Sequence, residues 1–375
     1  MRRMLNVKRG LKSWKRIVRD EVHNIKPYIP GKPIKEVKEE LGLAEVYKLA
    51  SNENPLGVSP RVKEVLTRET VNINRYPDGA SRSLKRSLSD KLGVKEDMIA
   101  IGNGSDGLLK VIAEAFLDNN SQAVISYPSF VEYKFVSQLM GTQLIRVWMK
   151  NYHQNLEALA RGVTSKTKLI FLTNPHNPAG TIFRKDELEQ FLSQIPDDVI
   201  VVLDEAYHEF VQDESYPDGI EYVKQGYPVI VLRTFSKAYG LAGLRLGYAI
   251  SAPDIIETLM KVRDPFNVNH LAEKAGQAAL EDKDFLEATI RNNEQGKEYL
   301  YTELDKIGVG YVPTQANFVL IRTGVDSIKM FKELLKHGVI VRPGKPLGYP
   351  HHLRVSIGLP EENEAFIRGL KLTLE

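Results

Sequence analysis

The chain has 375 residues, of which 42% are hydrophobic and 26% are charged, and its formal net charge is +3. No segment reaches the roughly 18 uninterrupted apolar residues that a membrane span needs, so we expect a soluble protein with no membrane partner. Because the chain contains no cysteine, a disulfide framework, a thiolate metal site and a catalytic thiol are excluded. We expect no metal, and the composition is compatible with the cytoplasm. A chain of this length usually divides into two domains.

The first 20 residues are basic, but they lack the apolar stretch and cleavage site of a secretory signal. Such a patch is more typical of a solvated helix face than of an arm that binds nucleic acid. The prolines of residues 26–33 then predict an extended segment. Asn52 follows a short strand-like stretch and precedes Pro55 by three residues. Its pattern is equally compatible with an Asx turn and with a place beside a substrate.

A glycine-rich turn separates a predicted strand at residues 99–101 from a predicted helix at residues 108–116. This arrangement directs free backbone N–H groups and the positive end of the helix dipole toward an anion. Many glycine turns only close a corner, so the turn alone is weak evidence for a site.

Two apolar runs, residues 168–173 and 199–203, predict buried strands of a parallel sheet. The first run leads into a proline-rich segment that contains Asn177. The second ends at Asp204, and Tyr207 follows three residues later. Open α/β sheets bind ligands at the carboxyl ends of their strands, and a charge there requires a partner.

The run at residues 229–232 predicts a further buried strand, which ends in hydroxyl groups, Lys237 and a glycine-rich segment. Most lysines are solvated surface charges, so a serine and a lysine alone would not indicate a site. Ser236 and Arg245, however, supply a hydroxyl group and a guanidinium fork that suit a phosphate monoester beside an imine-forming amine. We therefore predict that Lys237 is a covalent nucleophile and that pyridoxal phosphate (PLP) is the cofactor.

From about residue 318 onward, short predicted strands alternate with helices, which is typical of a small α+β domain. Arg354 lies in one of these strands, where an arginine usually faces solvent. Arg322, Arg342 and Lys345 are further basic groups in position to face an anionic substrate.

Taken together, these segments resemble the motifs of fold-type I PLP-dependent aminotransferases, and specifically the histidinol-phosphate aminotransferase family. The resemblance is carried by residues 52–57, 75–77, 102–106, 174–180, 234–247 and 352–358. It implies an α/β fold with a large domain, whose mostly parallel sheet is flanked by helices, and a smaller α+β domain. We expect residues 1–50 to form an N-terminal arm that joins the small domain, residues 51–265 the large PLP-binding domain, and residues 266–375 the small domain.

The resemblance also implies a role for each candidate residue. Lys237 would bind PLP covalently and then act as the general base, and Asp204 would hold the protonated pyridine nitrogen. The other cofactor contacts implied are Gly104, Ser105, Asp106, Ser236 and Arg245 to the phosphate, Asn177 and Tyr207 to the phenolic oxygen, Phe130 to the ring face, and Tyr76 from the partner subunit of a homodimer. Arg354, Asn52 and Arg322 would contact the substrate.

The implied reaction converts L-histidinol phosphate and 2-oxoglutarate into imidazole acetol phosphate and L-glutamate, in histidine biosynthesis. An aromatic or broad-specificity aminotransferase and a threonine-phosphate decarboxylase share the same motifs and remain alternatives. A PLP-binding regulator is a further alternative, but the segment before residue 28 is too short for an added DNA-binding domain. Three positions depart from the family pattern, because Phe130, Gly107 and Ala179 stand where relatives often carry tyrosine, glutamate and threonine.

Overall fold

A computed structural model describes residues 17–27 and 31–374. The basic segment before residue 17 and part of the proline-rich segment lie outside the described residues, so the predictions for them stay predictions. The strands are β1 (Tyr47–Leu49), β2 (Ile99–Gly102), β3 (Gln122–Tyr127), β4 (Gln143–Trp148), β5 (Thr167–Thr173), β6 (Ile200–Asp204), β7 (Val229–Thr234), β8 (Gly247–Ile250), β9 (Gly310–Val312), β10 (Phe318–Arg322), β11 (Val339–Pro343) and β12 (His352–Ser356).

Helices flank both sheets that these strands form. They are α1 (Asp20–His23), α2 (Ile34–Leu41), α3 (Pro60–Glu69), α4 (Arg82–Leu92), α5 (Gly104–Phe116), α6 (Val131–Leu139), α7 (Leu156–Arg161), α8 (Lys185–Leu192), α9 (Gly219–Lys224), α10 (Pro253–Val262), α11 (His270–Glu281), α12 (Lys283–Lys306), α13 (Ser327–Lys336) and α14 (Pro360–Leu374). Within the described ranges, no helix is both long enough and apolar enough to cross a bilayer.

The larger sheet has seven strands in the order β2-β8-β7-β6-β5-β3-β4. Strands β4, β3, β5, β6 and β7 are parallel to their neighbours in this set, and β8 runs antiparallel to both β2 and β7. Successive residues of β6 face opposite sides, because Val201 and Leu203 pack in one core layer and Val202 packs in the other. The predicted mostly parallel sheet with helices on both faces is therefore confirmed.

The smaller sheet has five strands in the order β1-β11-β12-β10-β9, and its core lies against α12, α13 and α14. Strand β1 pairs in parallel with β11, which places residues 47–49 in the small sheet. The earlier helix α1 lies elsewhere. Arg19 donates from Nη2 to the carbonyl oxygen of Leu139 at 2.8 Å, which places the start of the described chain on the large domain.

Helix α11 packs against α3 and α4 of the large domain and not against the small sheet. Most residues of its buried face are alanine or glycine, and a Cβ atom at Gly276 would lie 2.5 Å from Leu246. Asp282 then caps α12 by accepting a hydrogen bond from the N–H of Phe285. We therefore propose that the large domain ends near residue 281 and not at residue 265.

Candidate active site

One edge of the larger sheet brings most of the predicted residues together. The turns and loops that carry them follow β2, β3, β5, β6 and β7, and these strands all end at this edge. Strand β12 and the segment after β1 close the site from the small domain. The resulting cavity of about 460 Å³, here called the lysine cavity, is lined among others by Asn52, Ser105, Asp106, Phe130, Asn177, Asp204, Tyr207, Ser236, Lys237, Arg245 and Arg354.

Lys237 extends into this cavity from the segment after β7, and its Nζ donates a hydrogen bond to the carbonyl oxygen of Ser51 at 3.0 Å. Burial, followed by the positive charge of Arg354, lowers the pKa of the amine to about 8. A larger fraction of the amine is therefore neutral near pH 7 than for a solvated lysine. Only the neutral amine is a nucleophile, so this environment activates Lys237.

Asp204 is the last residue of β6 and is only 4% exposed. The hydroxyl group of Tyr133 donates to its Oδ2 at 2.8 Å, and the N–H of Ala206 donates to its Oδ1 at 3.1 Å. Burial is the main cause that raises its pKa, to about 6. The carboxylate is thus held rigidly and would be stabilised by a cation in the cavity.

Tyr133 was not among the predicted site residues. It lies on α6, is fully buried and stacks on Phe171 with the ring centroids 5.0 Å apart. A buried phenol hydroxyl usually requires a hydrogen-bond partner. That general rule was the only indication in the sequence that Tyr133 contacts a polar group of the site. The partner, Asp204, is 71 residues away along the chain.

An anion cradle forms where the first turn of α5 meets Arg245. Asn103 stands at the N-cap of α5, but its side chain accepts no capping hydrogen bond, so the first turn keeps its donors for a ligand. Nη1 of Arg245 lies 3.4 Å from Oγ of Ser236, and Nη2 donates to Oδ2 of Asp106 at 2.9 Å. The guanidinium of Arg245, the hydroxyl group of Ser236 and the N–H groups of the first turn are donors that match the oxygens of a phosphate monoester.

Two glycines allow this close approach. Gly104 has a φ of +76°, and a Cβ atom there would lie 2.7 Å from Nη2 of Arg245. A Cβ atom at Gly247 would lie 2.6 Å from the backbone nitrogen of Ser105. The cradle therefore depends on bare backbone at both positions. Gly104 contacts Arg245 but is not itself part of the lysine-cavity wall.

A hydrogen-bond network joins the two domains on the other side of the cavity. The hydroxyl group of Tyr207 accepts from Nδ2 of Asn52 at 2.9 Å and from Nδ2 of Asn177 at 3.3 Å. Arg354 donates from Nη1 to Oδ1 of Asn177 at 2.7 Å and from Nη2 to the carbonyl oxygen of Ala50 at 2.9 Å. Asn52 and Arg354 are therefore held against Tyr207 and Asn177 by direct contacts.

Two predicted residues do not reach the lysine cavity of their own chain. Arg322 is exposed at the last position of β10 and does not line the lysine cavity, so its predicted substrate contact stays a prediction without support from the structure. Leu320 is the residue of β10 that pairs with Arg354, and two strand residues advance the chain by about 7 Å. Arg342 pairs with Arg354 from β11 and lines the cavity instead. Tyr76 is 83% exposed and stacks on Phe266.

A buried ion pair lies directly behind the site and was also missed from the sequence. Arg233 donates from Nε to Oε2 of Glu205 at 2.9 Å and from Nη2 to Oδ1 of Asp218 at 2.7 Å. Glu205 also accepts from the N–H of Gly219 at 2.8 Å. The pair links the residue after Asp204 to β7, the strand that leads into Lys237.

Comparison with known proteins assigns this arrangement to a class. Residues 44–370 match the family described as aminotransferase class I and II, so the chain belongs to that family. It is 48% identical over 354 residues to the histidinol-phosphate aminotransferase of Moorella thermoacetica, covering 94% of this chain and 92% of the relative. It is 44% identical over 360 residues to histidinol-phosphate aminotransferase 2 of Carboxydothermus hydrogenoformans, and the match covers 96% of this chain and 99% of that relative. Within the class, the chain is a member of the histidinol-phosphate aminotransferase family.

Solved structures agree with this assignment. The histidinol-phosphate aminotransferase of Sinorhizobium meliloti, in complex with pyridoxal-5'-phosphate, superposes with a TM-score of 0.87 at 26% identity and covers 95% of this chain and 96% of that chain. An aspartate aminotransferase variant of Thermus thermophilus superposes with a TM-score of 0.81 at 22% identity, which shows the shared fold alone.

Proposed function

We propose that the chain is a PLP-dependent transaminase that interconverts L-histidinol phosphate and 2-oxoglutarate with imidazole acetol phosphate and L-glutamate. The observation that carries this proposal is the buried amine of Lys237, whose lowered pKa and position in one cavity with Asp204 and the anion cradle suit imine chemistry. The relatives named above support the choice of substrates.

The side chains of the lysine cavity fit PLP by their chemistry. Arg245, Ser236 and the first turn of α5 supply cationic and neutral donors for a phosphate monoester. Asp204 supplies an anion for a protonated ring nitrogen, and Asn177 with Tyr207 supplies donors for a phenolic oxygen. When bound, PLP supplies a cationic ring that accepts the electron pair released at the substrate α-carbon.

The protein's own groups perform the proton transfers and the orientation. Lys237 Nζ would take the proton from the substrate α-carbon as a general base, and its lowered pKa keeps it neutral enough to do so. With PLP bound, the negative charge of Asp204 would hold the proton on the ring nitrogen. Asn52 and Asn177 hold the phenol of Tyr207 in place, because both donate to its oxygen.

The site has to accept two different amino donors. Histidinol phosphate carries a phosphate and no α-carboxylate, whereas glutamate carries two carboxylates. A guanidinium fork matches either oxyanion, so Arg354 can serve both half-reactions, and Arg342 stands beside it on the same face of the small sheet.

A coupled assay with purified protein, histidinol phosphate and 2-oxoglutarate tests the proposal. Glutamate should form in this assay. In Lys237→Ala, borohydride treatment should fix no cofactor to the protein, so the absorbance of the cofactor should disappear on dialysis. Faster turnover of phenylalanine than of histidinol phosphate would favour an aromatic aminotransferase, and release of carbon dioxide from threonine phosphate would favour a decarboxylase. A Lys237→Ala variant that still forms a borohydride-reducible imine would refute the role of Lys237.

We also propose a homodimer in which Tyr76 of each subunit completes the phosphate site of the other. The support is the exposure of Tyr76 together with its exposed apolar neighbours, Val71 at 79% and Ile73 at 63%. Mixing subunits of Tyr76→Ala with subunits of Lys237→Ala should restore about a quarter of the wild-type activity, because half of the randomly formed dimers contain one intact composite site out of two. No recovery would contradict a phosphate site that the two subunits share. The cytoplasmic location stays a prediction.

A further inference from the structure

A second cavity, of about 550 Å³, adjoins the lysine cavity. We call it the side cavity. Its wall is largely apolar and includes Ile25, Pro27, Tyr127, Pro128, Phe135 and Leu347. The two cavities share Ser129, Phe130, Val131, Glu132 and Leu347, so they adjoin along one short segment and one leucine.

Two polar groups in this shared wall have no partner among the described residues. Oγ of Ser129 is buried without a hydrogen bond, and the whole residue is only 9% exposed. The half-buried carboxylate of Glu132 makes neither a hydrogen bond nor an ion pair within the described part of the chain. Buried polar groups are nearly always hydrogen-bonded, so the unpaired hydroxyl group of Ser129 indicates a ligand that supplies the missing partner, and the unpaired carboxylate of Glu132 lines the same two cavities.

The shared wall is held in place by the same helix that supports the cofactor site. Phe130 is the N-cap residue of α6, and Glu132 stands in the first turn of that helix. Tyr133, the next residue, is anchored by its hydrogen bond to Asp204. Ser129 and Glu132 are therefore fixed relative to Asp204 and, through the sheet, relative to Lys237.

The charges around the side cavity are arranged in two zones. Lys26, Lys134 and Arg146 also line it, but these three cations are exposed and stand at its solvent side. Arg146 lies over the ring of Tyr127, 5.5 Å from the centroid. The groups nearest the lysine cavity are thus one hydroxyl and one carboxylate, and the rest of that wall is apolar.

We propose that the side cavity holds the ring of the amino substrate, and that Ser129 and Glu132 select imidazole over phenyl by binding the two ring nitrogens. This inference rests on the proposed function, because it places the substrate amine at Lys237. A neutral imidazole has apolar faces, one N–H donor and one nitrogen acceptor. The carboxylate of Glu132 accepts from the N–H, and the hydroxyl group of Ser129 donates to the other nitrogen.

A phenyl ring would occupy the same apolar space but would leave both groups unpaired. Sites built to bind a polar group of the substrate reject analogues that lack it far more strongly than apolar pockets reject a change of size. The two residues are therefore specificity determinants, and they act on the ring and not on the reacting amine.

A matched pair of amino alcohols, L-histidinol and L-phenylalaninol, isolates the ring. Their dissociation constants are measured on the holoenzyme from the change in its visible absorption. Wild-type protein should bind histidinol more tightly. The ratio compared is the dissociation constant of phenylalaninol divided by that of histidinol. Glu132→Leu should reduce this ratio about tenfold, and Ser129→Ala should reduce it about fivefold, because each removes one hydrogen bond. Glu132→Gln keeps an acceptor oxygen and should retain a larger part of the ratio.

Glu157→Leu is the matched control, since Glu157 also stands in the first turn of a short helix but is exposed and lines neither cavity. Its ratio should equal that of the wild type. An unchanged ratio in both Glu132→Leu and Glu132→Gln, in protein that keeps its cofactor absorbance, would overturn the inference, as would a wild type that does not distinguish the two ligands. Wild-type protein that fails to turn over histidinol phosphate would instead overturn the proposed function.

Discussion

Replacing Arg354 by methionine should shift the pH at which Lys237 of the apoprotein reacts with PLP. Burial is the largest cause that lowers the pKa of Lys237 to about 8 from its ordinary value of 10.5, and the charge of Arg354 is the second. Methionine has a similar length but no charge, so the variant removes the second cause and keeps the first. The midpoint of the reaction should therefore rise above 8 and stay below 10.5.

The size of the effect follows from the fraction of neutral amine. With a pKa of about 8, about a quarter of the amine is neutral at pH 7.5, whereas a solvated lysine is neutral in only about one molecule in a thousand. The environment of Lys237 thus raises its reactive fraction by a factor of about 200. Arg354→Met should lose part of this factor at pH 7.5 and lose nothing near pH 11, where the amine is neutral in both proteins.

The assay measures the second-order rate constant for PLP incorporation into apoprotein between about pH 6 and pH 11, with borohydride reduction to fix the product. Arg322→Met is the control, since Arg322 is an exposed arginine on the neighbouring strand β10 and does not line the cavity. Its profile should match that of the wild type. A wild-type midpoint near 10.5, or equal midpoints for wild type and Arg354→Met, would refute this reasoning.

Three further changes test the support of the site. Asp204→Asn removes the buried anion without changing its shape, and kcat should fall by at least about a hundredfold in steady-state assays. Gly247→Ala places a methyl group 2.6 Å from the backbone nitrogen of Ser105, so the dissociation constant of PLP, measured by absorbance titration, should rise. Glu205→Gln breaks a buried pair with Arg233 and should lower the free energy of unfolding by about 3 kcal/mol, measured by urea denaturation.

Each of these has its own contradicting result. An Asp204→Asn variant with wild-type kcat would show that the carboxylate plays no part in the chemistry. Wild-type affinity for PLP in Gly247→Ala would show that the first turn of α5 does not bind the phosphate. A Glu205→Gln variant as stable as the wild type would show that Asp218, which lies 2.7 Å from Nη2 of Arg233, balances that charge by itself.

Much of the architecture was predictable because local sequence patterns determine it. The apolar runs before Asp204 and Lys237 became β6 and β7, since residues buried on both faces of a parallel sheet have to be apolar throughout. The polar residues after these runs meet at one edge for the same reason, because parallel strands end side by side. The glycine turn before α5 likewise correctly indicated a helix N-terminus.

Local patterns carry no information on how far along a strand a side chain lies relative to its neighbours. Arg322 and Arg342 looked equivalent in the sequence, and only the pairing of β10 and β11 with β12 placed Arg342 beside Arg354 and left Arg322 exposed. The packing of the small-residue face of α11 against α3 and α4 likewise became visible only in the structure, and it is the basis for the domain boundary that we propose near residue 281.

The sequence by itself therefore determined which strands are buried and which reactive groups follow them, because hydrophobic periodicity and turn chemistry act between near neighbours. Only the tertiary structure decided which partner each buried polar group meets. Tyr133 reaches Asp204 across 71 residues, and Asn52 reaches Tyr207 across 155. Such pairs form because burial leaves each group no water to bind, and the fold selects the one partner within reach.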